Sequence, residues 1–468
     1  MNKLQAVEAA RNMLQGPRAF ESPRLDAIDM AMRPWSEAHA LQSLGVTNVG
    51  QGVRDSIIRM ARKSQTNFLP LILDIFGQGL KVDNYLAGDS SGSTAAPWTW
   101  WQRNRMDARQ TGIHRTALQY GVSYATVLPS LTSGDDAHPA AVIRGVSPRQ
   151  MTALYGEPLE WDPRQGGPVD DDWPIMALEM KGPMIRLYDE QAVHFIGVKH
   201  VPQSALGWTD PSYLAVGNFE YIEGRSHGVG VCPVVRYQDR MLLDGEETFG
   251  IIEPLLSIQG RIDETVFAMM VAQYFSAFKL RYITGWVPQS EADALRMSAK
   301  DTWTFGSKDV KVGELNATDL KNYIESQGSA IRDLSAIAQA PPQSMGASGI
   351  ANLSEAALAG LEAGRGRKSG ELETSLGESH EQLLRTAAHI TGDVDSARDF
   401  ASEVKWADAT ARSFAQTIDG LGKLATMLDI PPEMLWADVP GWTKTKVDRA
   451  IEMQRERNDV PDVPFPED

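Results

Sequence analysis

Cysteine is nearly absent from this chain: Cys232 is the one thiol in 468 residues. A single cysteine excludes an intramolecular disulfide and every metal site built on several thiolates, and it fits a reducing compartment. Long apolar runs are missing too, since no stretch approaches the roughly 18 apolar residues of a membrane span. Residues 1–15 alternate charged and polar side chains with small apolar ones. No secretory signal is visible there, and the expectation is a soluble chain. Positive charge is in deficit, with 45 Lys and Arg against 61 Asp and Glu and a formal charge of −16. That balance argues against a surface that wraps nucleic acid, and it does not exclude a protein that DNA must pass without sticking.

Catalytic signatures are also missing. The histidines are His39, His114, His138, His194, His200, His227, His380 and His389. None stands in a His-Glu-x-x-His arrangement, so they read as structural or surface groups. The run from Gly364 to Ser369 imitates a phosphate loop, but Arg367 occupies the place where glycine must precede the lysine, and the surroundings are helical. The glycine-rich run from Gly224 to Gly230 leads into a strand, where a dinucleotide site needs a helix. No Gly-x-Ser-x-Gly elbow occurs, and Cys232 precedes Pro233 with no histidine partner in pattern. Asp170, Asp171 and Asp172 are hard oxygen donors, but three consecutive residues of one loop do not converge on an ion, so they read as a solvated acidic loop. No familiar enzyme class, cofactor or metal is expected.

What is present is a sequence of textures, in a chain long enough for about three domains with ample core. Residues 1–66 read as helices with polar faces, lying outside and punctuated by Pro23 and Pro34. Phe68, Leu71, Ile72, Ile75 and Phe76 make a helical stripe that ends at Gly77 and Gly79, and 80–85 alternates as a strand. A small-residue loop over 87–97 precedes Trp98, Trp100 and Trp101. Asn104 then opens a helix through His114, Ala117 and Leu118 that stops at Gly121, with a strand over 123–128. Short strands follow at 141–144, 175–180, 185–188, 194–198 and 231–237. The twelve tryptophans read as core and interface anchors.

The second half is dominated by long helices. Ile251, Leu255, Ile258, Ile262, Val266 and Met269 keep helical spacing in a helix reaching residue 278, about 40 Å long. A mixed excursion over 279–318 has strands at 280–283 and 309–313, Trp286, and a short helix over 291–298. In the return helix, Ile324, Gly328, Ile331, Leu334 and Ala338 recur every three or four residues, and Pro341 and Pro342 stop it. The loop 343–351 is small-residued apart from Met345 and Ile350. Asn352 with Glu355 then resembles an N-cap and its reciprocal partner. The helix they open carries Gly360, Gly364, Gly366, Gly370 and Gly377, each weakening it by about 1 kcal/mol against alanine. Such glycines serve close packing or a kink. By pattern alone this segment reads first as an ordinary helical hairpin. A strand over 400–406, helices over 408–427 and 444–457, and a disordered acidic tail over 458–468 complete the chain.

Several blocks carry a likeness to a known family. They are Trp101 with Asn104, Gly121-Val-Ser-Tyr-Ala-Thr-Val127, His227-Gly-Val-Gly-Val-Cys-Pro-Val-Val235, Ile251-Ile-Glu-Pro-Leu255, Ile258-Gln259, Arg261-Ile-Asp263, Ala340-Pro-Pro-Gln343, Glu355-Ala-Ala-Leu-Ala359, Val404-Lys-Trp-Ala-Asp408 and Arg412-Ser413. Spread over about 67–449, they resemble the portal proteins of tailed bacteriophages, in particular those of long-tailed phages of actinobacteria. The resemblance implies an α+β, mainly helical portal fold with wing, stem, clip and crown regions. It implies a ring, usually a dodecamer, around a central channel for packaging and ejecting double-stranded DNA.

Mapped onto this chain, the resemblance implies a wing over 1–246, a first stem helix over 247–278, a clip over 279–318 and a second stem helix over 319–340. A tunnel loop over 341–353 follows, then a long kinked wing helix over 354–392, and a wing return strand, helical crown and acidic tail over 393–468. It implies that Gln343, Ser344, Met345, Ser348 and Asn352 face the DNA, and that Lys279, Arg281, Trp286, Lys308 and Lys311 serve clip contacts with partners or phosphates. Gly360, Gly364 and Gly370 would serve subunit packing. The implied partners are the terminase large subunit, a head–tail adaptor, and the major capsid and scaffold proteins, with no membrane. The implied location is the capsid portal vertex of the virion, after assembly in the host cytoplasm. Two alternatives are a nucleic-acid-processing enzyme with an unfamiliar site and another ring-forming head–tail adaptor.

Overall fold

The computed structural model describes residues 1–33, 51–88, 93–130, 140–155, 161–162, 167–168, 173–240, 249–277, 281–284, 310–314, 319–346, 355–407, 414–439, 441–442 and 444–458. The chain divides into two units, Met1–Ala407 and Asp408–Asp468.

The first unit begins with α1 (Lys3–Met13) and α2 (Ala19–Ala31), joined without a break by a π-helical turn over Leu14–Arg18 that contains Pro17. Proline lacks an N–H and crowds the carbonyl four residues back, so the helix widens there. Pro23 does not punctuate the chain: α2 runs through it, while the Ser22 hydroxyl satisfies the Arg18 carbonyl at 2.6 Å. Pro34 lies outside the described residues. The apolar face of α1 is buried with Leu178, Ile185, Leu187 and Ile196 of a sheet, so this helix covers a core.

Next come α3 (Gln51–Ser64), α4 (Leu69–Gly77), β1 (Val82–Leu86), α5 (Trp98–Arg103) and α6 (Met106–Tyr120). Gly121, at φ 90°, ends α6 in a left-handed conformation that favours glycine. Then follow β2 (Val122–Pro129), β3 (Ala141–Val146), β4 (Met151–Leu154), the two-residue strands β5 (Trp161–Asp162) and β6 (Gly167–Pro168), β7 (Met176–Lys181), β8 (Met184–Tyr188), β9 (Ala192–Val198), β10 (Phe219–Ser226) and β11 (Val234–Gln238). The order β10-β9-β8-β7-β4 forms one antiparallel sheet and β11-β2-β3 another. β4 and β10 escape the sequence reading because they are edge strands, and β10 leaves most of its residues exposed or half-buried. The Asp170–172 loop lies outside the described residues.

Beyond Gly250 the expected helix starts late. Pro254 sits in a 3-10 turn over Glu253–Leu255, while Ile251, Ile252 and Leu255 plug the core. The helix proper, α7 (Leu256–Ala277), has 22 residues and is about 33 Å long. β12 (Arg281–Thr284) and β13 (Lys311–Glu314) pair antiparallel, Arg281 opposite Glu314 and Thr284 opposite Lys311. The expected helix over 291–298 lies outside the described residues. Then come α8 (Lys321–Ala338), a 3-10 turn over Pro342–Met345, α9 (Glu355–Ile390), the short α10 (Val394–Ala397), and β14 (Glu403–Trp406). β14 pairs with β1, closing a loop of more than 300 residues.

The main core gathers α4, α5, α6, the three-stranded sheet, α7, α8 and the second half of α9 around Trp101, Leu118, Tyr237, Ile262, Leu334 and Leu384. The second unit holds α11 (Phe414–Met427), α12 (Pro432–Leu435) and α13 (Lys444–Asn458). Of the acidic tail expected over 458–468, Asn458 ends α13 and residues 459–468 lie outside the described residues.

Candidate functional site

Residues 256–390 form the most unusual part of the first unit, because three long helices each have one end in the core and one end outside it. In α7, Gln259, Ile262, Asp263 and Val266 are buried, whereas Tyr274 is 57% exposed. In α8 the order reverses: Ile324 is 59% exposed, while Ala330, Leu334, Ser335 and Ala338 are buried against α7 and the main core. The apolar stripe read from the sequence therefore divides. Leu334 and Ala338 are core, and Ile324, Gly328 and Ile331 line an open cleft. An exposed ion pair, Arg261 to Asp333 at 2.6 Å, ties α7 to α8.

The inner end of α7 is fastened by side chains to the backbone before α4. Gln259 accepts from the Phe68 N–H at 3.0 Å and donates to the Thr66 carbonyl at 3.0 Å, while Asp263 accepts from the Thr66 N–H at 3.0 Å. Gln259 also donates to Asp263 at 3.1 Å, so both polar groups are satisfied inside an apolar surround.

The turn between α8 and α9 is built tightly at its start. Gln339 adopts a left-handed conformation (φ 55°), and the Ser335 hydroxyl donates to the Ala340 carbonyl at 2.7 Å. Pro341 and Pro342 then start the 3-10 turn that Gly346 closes at φ 72°. Met345 is 5% exposed and packs in the main core. The expectation that it faces a channel gives way to an anchoring role, because a thioether this apolar is stabilised by burial. Ser344 is exposed. Gln343 is half-buried, with both polar atoms of its side chain covered and unpartnered. Ser348 and Asn352 lie outside the described residues.

α9 is one uninterrupted helix of 36 residues. From Leu372 onward, Leu376, His380, Leu383, Leu384, Ala387 and Ala388 are buried. Before that, a Cβ added at Gly360, Gly366 or Gly370 would meet nothing within 4 Å, and one at Gly364 would meet only the Gln339 carbonyl at 3.8 Å. The three glycines expected to serve packing thus face no close neighbour among the described residues. Between this half of α9 and the outer half of α8 lies a cleft of about 1480 Å³, lined by Ile324, Gly328, Ile331, Gly360, Gly364 and Arg367 among others. Lys368, at its edge, pairs with buried Asp239 and with Glu371, both at 3.4 Å, which makes it a structural cation within a helix.

The buried half of α9 is joined to the sheet and α6 by a chain of hydrogen bonds. The Leu80 carbonyl can only accept, so His114 Nδ1 donates to it at 3.2 Å, leaving Nε2 as an acceptor. His380 Nε2 therefore donates across 2.7 Å, and its Nδ1 accepts from the Tyr237 hydroxyl at 3.0 Å. Every partner is matched only when both rings are neutral. Burial holds His114 at about 4, against a small upward pull from its bond to Leu80. Burial, and then the neighbouring His114, push His380 well below the usual histidine range. Trp101 and Trp406 close the surround, at 5.0 and 6.3 Å from His380 between ring centres.

Of the residues expected to make partner contacts, Lys311 is exposed on β13 and Arg281 starts β12. Lys279, Trp286 and Lys308 lie outside the described residues. Sequence reading missed the roles of Gln259, Asp263, His114 and His380. Their one signal was a polar residue on an apolar helical face, whose partner could not be named without the fold. In one of the likeness blocks the Asn104 side chain serves the scaffold: it donates to the Trp100 and Ala141 carbonyls and accepts from the Ile143 N–H, all within 2.9 Å. Among the described residues no group of His, Cys, Asp and Glu could hold a metal ion, and no helix is long and apolar enough to cross a membrane.

Comparison with known proteins bears on the whole arrangement. The family described as phage portal protein, SPP1 Gp6-like, matches residues 59–460. The portal protein of Mycobacterium phage D29 is 23% identical over 375 residues, covering 76% of this chain and 71% of its own length. That of Mycobacterium phage L5 is 23% identical over 370 residues, with the same coverage. Among solved structures, the neck of an empty GTA particle computed with C6 symmetry aligns with a TM-score of 0.42 at 10% identity, covering 86% of this chain and 94% of that one. An HK97 family phage portal protein from Corynebacterium diphtheriae aligns with a TM-score of 0.30 at 13% identity, covering 80% and 96%.

Proposed function

The chain belongs to the SPP1 Gp6-like phage portal protein family, and from that premise we propose that it forms the ring-shaped channel at the portal vertex of a phage capsid. The observation that carries the reading is the order within 256–390, which the family match spans. Two helices leave the core and are linked outside it by the β12–β13 segment, and at the inner end a proline-started turn leads into the long α9. α7 and α8 supply the stem, β12 and β13 belong to the clip, and the turn that starts at Pro341 is the root of the tunnel loop. Met345 anchors that root, while Ser344 and the residues after Gly346 are the ones that meet DNA.

The ring has twelve copies, and its part is positioning and passage without catalysis. A net charge of −16 per copy repels phosphates and releases few counterions, so the duplex is held weakly and slides. The clip, with Arg281 and Lys311, docks the terminase large subunit during packaging and a head–tail adaptor afterwards. The outer surface meets the major capsid and scaffold proteins after assembly in the host cytoplasm, and the same channel serves ejection.

Negative-stain microscopy of the purified protein tests this directly, with channelled rings expected. A monomer under all assembly conditions would overturn it, and ATPase or nuclease activity intrinsic to the chain would overturn the non-catalytic part. Shortening 343–351 should impair packaging while rings still form. The opposite outcome would return the segment to plain scaffold.

A further inference from the structure

Two cavities adjoin on the first unit and form a trough. One, of about 640 Å³, lies between one side of α6 and β3, and the other, of about 480 Å³, reaches α2, with Thr116 and Ser147 lining both. The charge there runs against the rest of the chain. Their described lining residues include Arg33, Arg109, Arg144 and Arg149 against one carboxylate, Asp29, in a chain of formal charge −16. Acids nearby balance only part of this. Arg149 pairs with Asp26 and Asp29, Arg33 also with Asp29, and Arg144 with buried Glu179, which Arg186 shares. Arg109 is exposed, donates to the Ile143 carbonyl at 3.3 Å, and pairs with no carboxylate among the described residues.

One side of the trough is a sheet edge, because β3 is the end strand of β11-β2-β3. Side chains cap most of that edge. Asn104 takes the Ala141 carbonyl and the Ile143 N–H, and Arg109 takes the Ile143 carbonyl. Backbone direction repeats every second residue, so the N–H and C=O of exposed Gly145 point the same way, and neither has a partner among the described residues. Glycine is required there: a Cβ would stand 2.8 Å from Ile113 Cγ1. On α6 the trough is open at Gly112, where an added Cβ would meet nothing within 4 Å.

A free donor, a free acceptor and surplus guanidinium groups together select one class of ligand. A phosphate chain could use the arginines and the Gly145 N–H, but it has no donor for the Gly145 carbonyl. An extended peptide offers both along its backbone, and its alternating side chains can set carboxylates on the arginines, whose remaining N–H groups are free to donate. We propose that this trough binds an extended acidic segment of a partner protein, with one residue hydrogen-bonded to both groups of Gly145 and carboxylates on Arg109 and Arg144. The backbone pairing is short. Asn104 and Arg109 occupy the edge on one side of Gly145, and on the other the Ser147 carbonyl turns to accept from Gln150 and Met151. Charge therefore carries the selectivity. The assignment stands on this surface alone and does not depend on the ring.

Fluorescence anisotropy of a labelled heptapeptide of alternating Glu and Val, titrated with the full-length protein, tests this. Saturable binding is expected, and it should weaken as salt is added. Arg109→Gln should weaken it about tenfold, the loss of one charge-assisted pair. Gly112→Tyr should abolish it by filling the trough while every charge stays in place. With peptide bound, the Gly145 amide should exchange more slowly with solvent, and the same peptide N-methylated along its backbone should bind about tenfold more weakly. No binding at millimolar peptide, unchanged binding in either variant, or equal binding of short single-stranded DNA or pyrophosphate would each overturn the proposal. Binding that monomers show and rings lose would assign the trough to contact between copies, which overturns the proposal and leaves the portal reading intact. Peptide binding by a chain that never forms rings would sink the portal reading alone.

Discussion

The two halves of α9 share one helix and one backbone geometry, yet they are built for different purposes. From Leu372 to Ile390 the helix is core, wedged among Tyr237, Trp101 and Trp406. From Gly360 to Gly370 it is more open, with Lys368 its one buried side chain among the described residues and with glycines whose added Cβ would meet almost nothing there. α7 and α8 repeat the division, so each long helix has an anchored end and a free end. The difference teaches that apolar periodicity marks surfaces to be covered but does not say by what. The inner ends are covered by this chain, and the outer ends are open among the described residues.

The anchored half should be far more sensitive to substitution. Leu384→Ala, at a position with no exposure, should cost about 2–5 kcal/mol, read as a shift in the urea midpoint of the dissociated protein. A loss below about 1 kcal/mol would erase the distinction.

Acid should find the same half. The unfolded chain takes up protons at His114 as the pH falls below 6.5, and the folded chain does so only near 4. Stability is therefore complete above the unfolded value and is lost as the pH falls between these limits, by about 3 kcal/mol for His114 alone. His380, also held low, adds in the same direction. Denaturation at stepped pH checks this, and His114→Gln with His380→Gln should flatten the slope.

The inner end of α7 comes next. Gln259→Ala leaves the Phe68 N–H and the Thr66 carbonyl without their partner and should cost about 1–3 kcal/mol by chemical denaturation. The free half should respond least and with the opposite sign. Gly360→Ala should stabilise the dissociated protein by about 1 kcal/mol, since alanine favours the helix and the added methyl meets nothing. If that glycine packs against a neighbouring copy, the same variant should assemble less readily in sedimentation.

Local pattern made a good part of this protein legible. The spans of α4, α6, α8 and most strands follow from periods of 3.6 and 2 and from their stops at Gly121 and Pro341, because those signals are carried by adjacent residues. The family likeness was legible for the same reason, in blocks such as Gly121 to Val127. Pro23 misled because a proline that ends a helix and one that a helix runs through look the same in the local sequence, and here α2 continues past it.

What the tertiary structure alone decided is partnership. Helical spacing put Ile324 and Leu334 on one face, and packing against α7 buried one and left the other in a cleft. Two histidines 266 residues apart became one hydrogen-bonded pair, and β14 found β1 across most of the chain. Burial, tautomer and register depend on which distant surfaces meet, and that is settled by the sum of many weak contacts that no short stretch of residues contains.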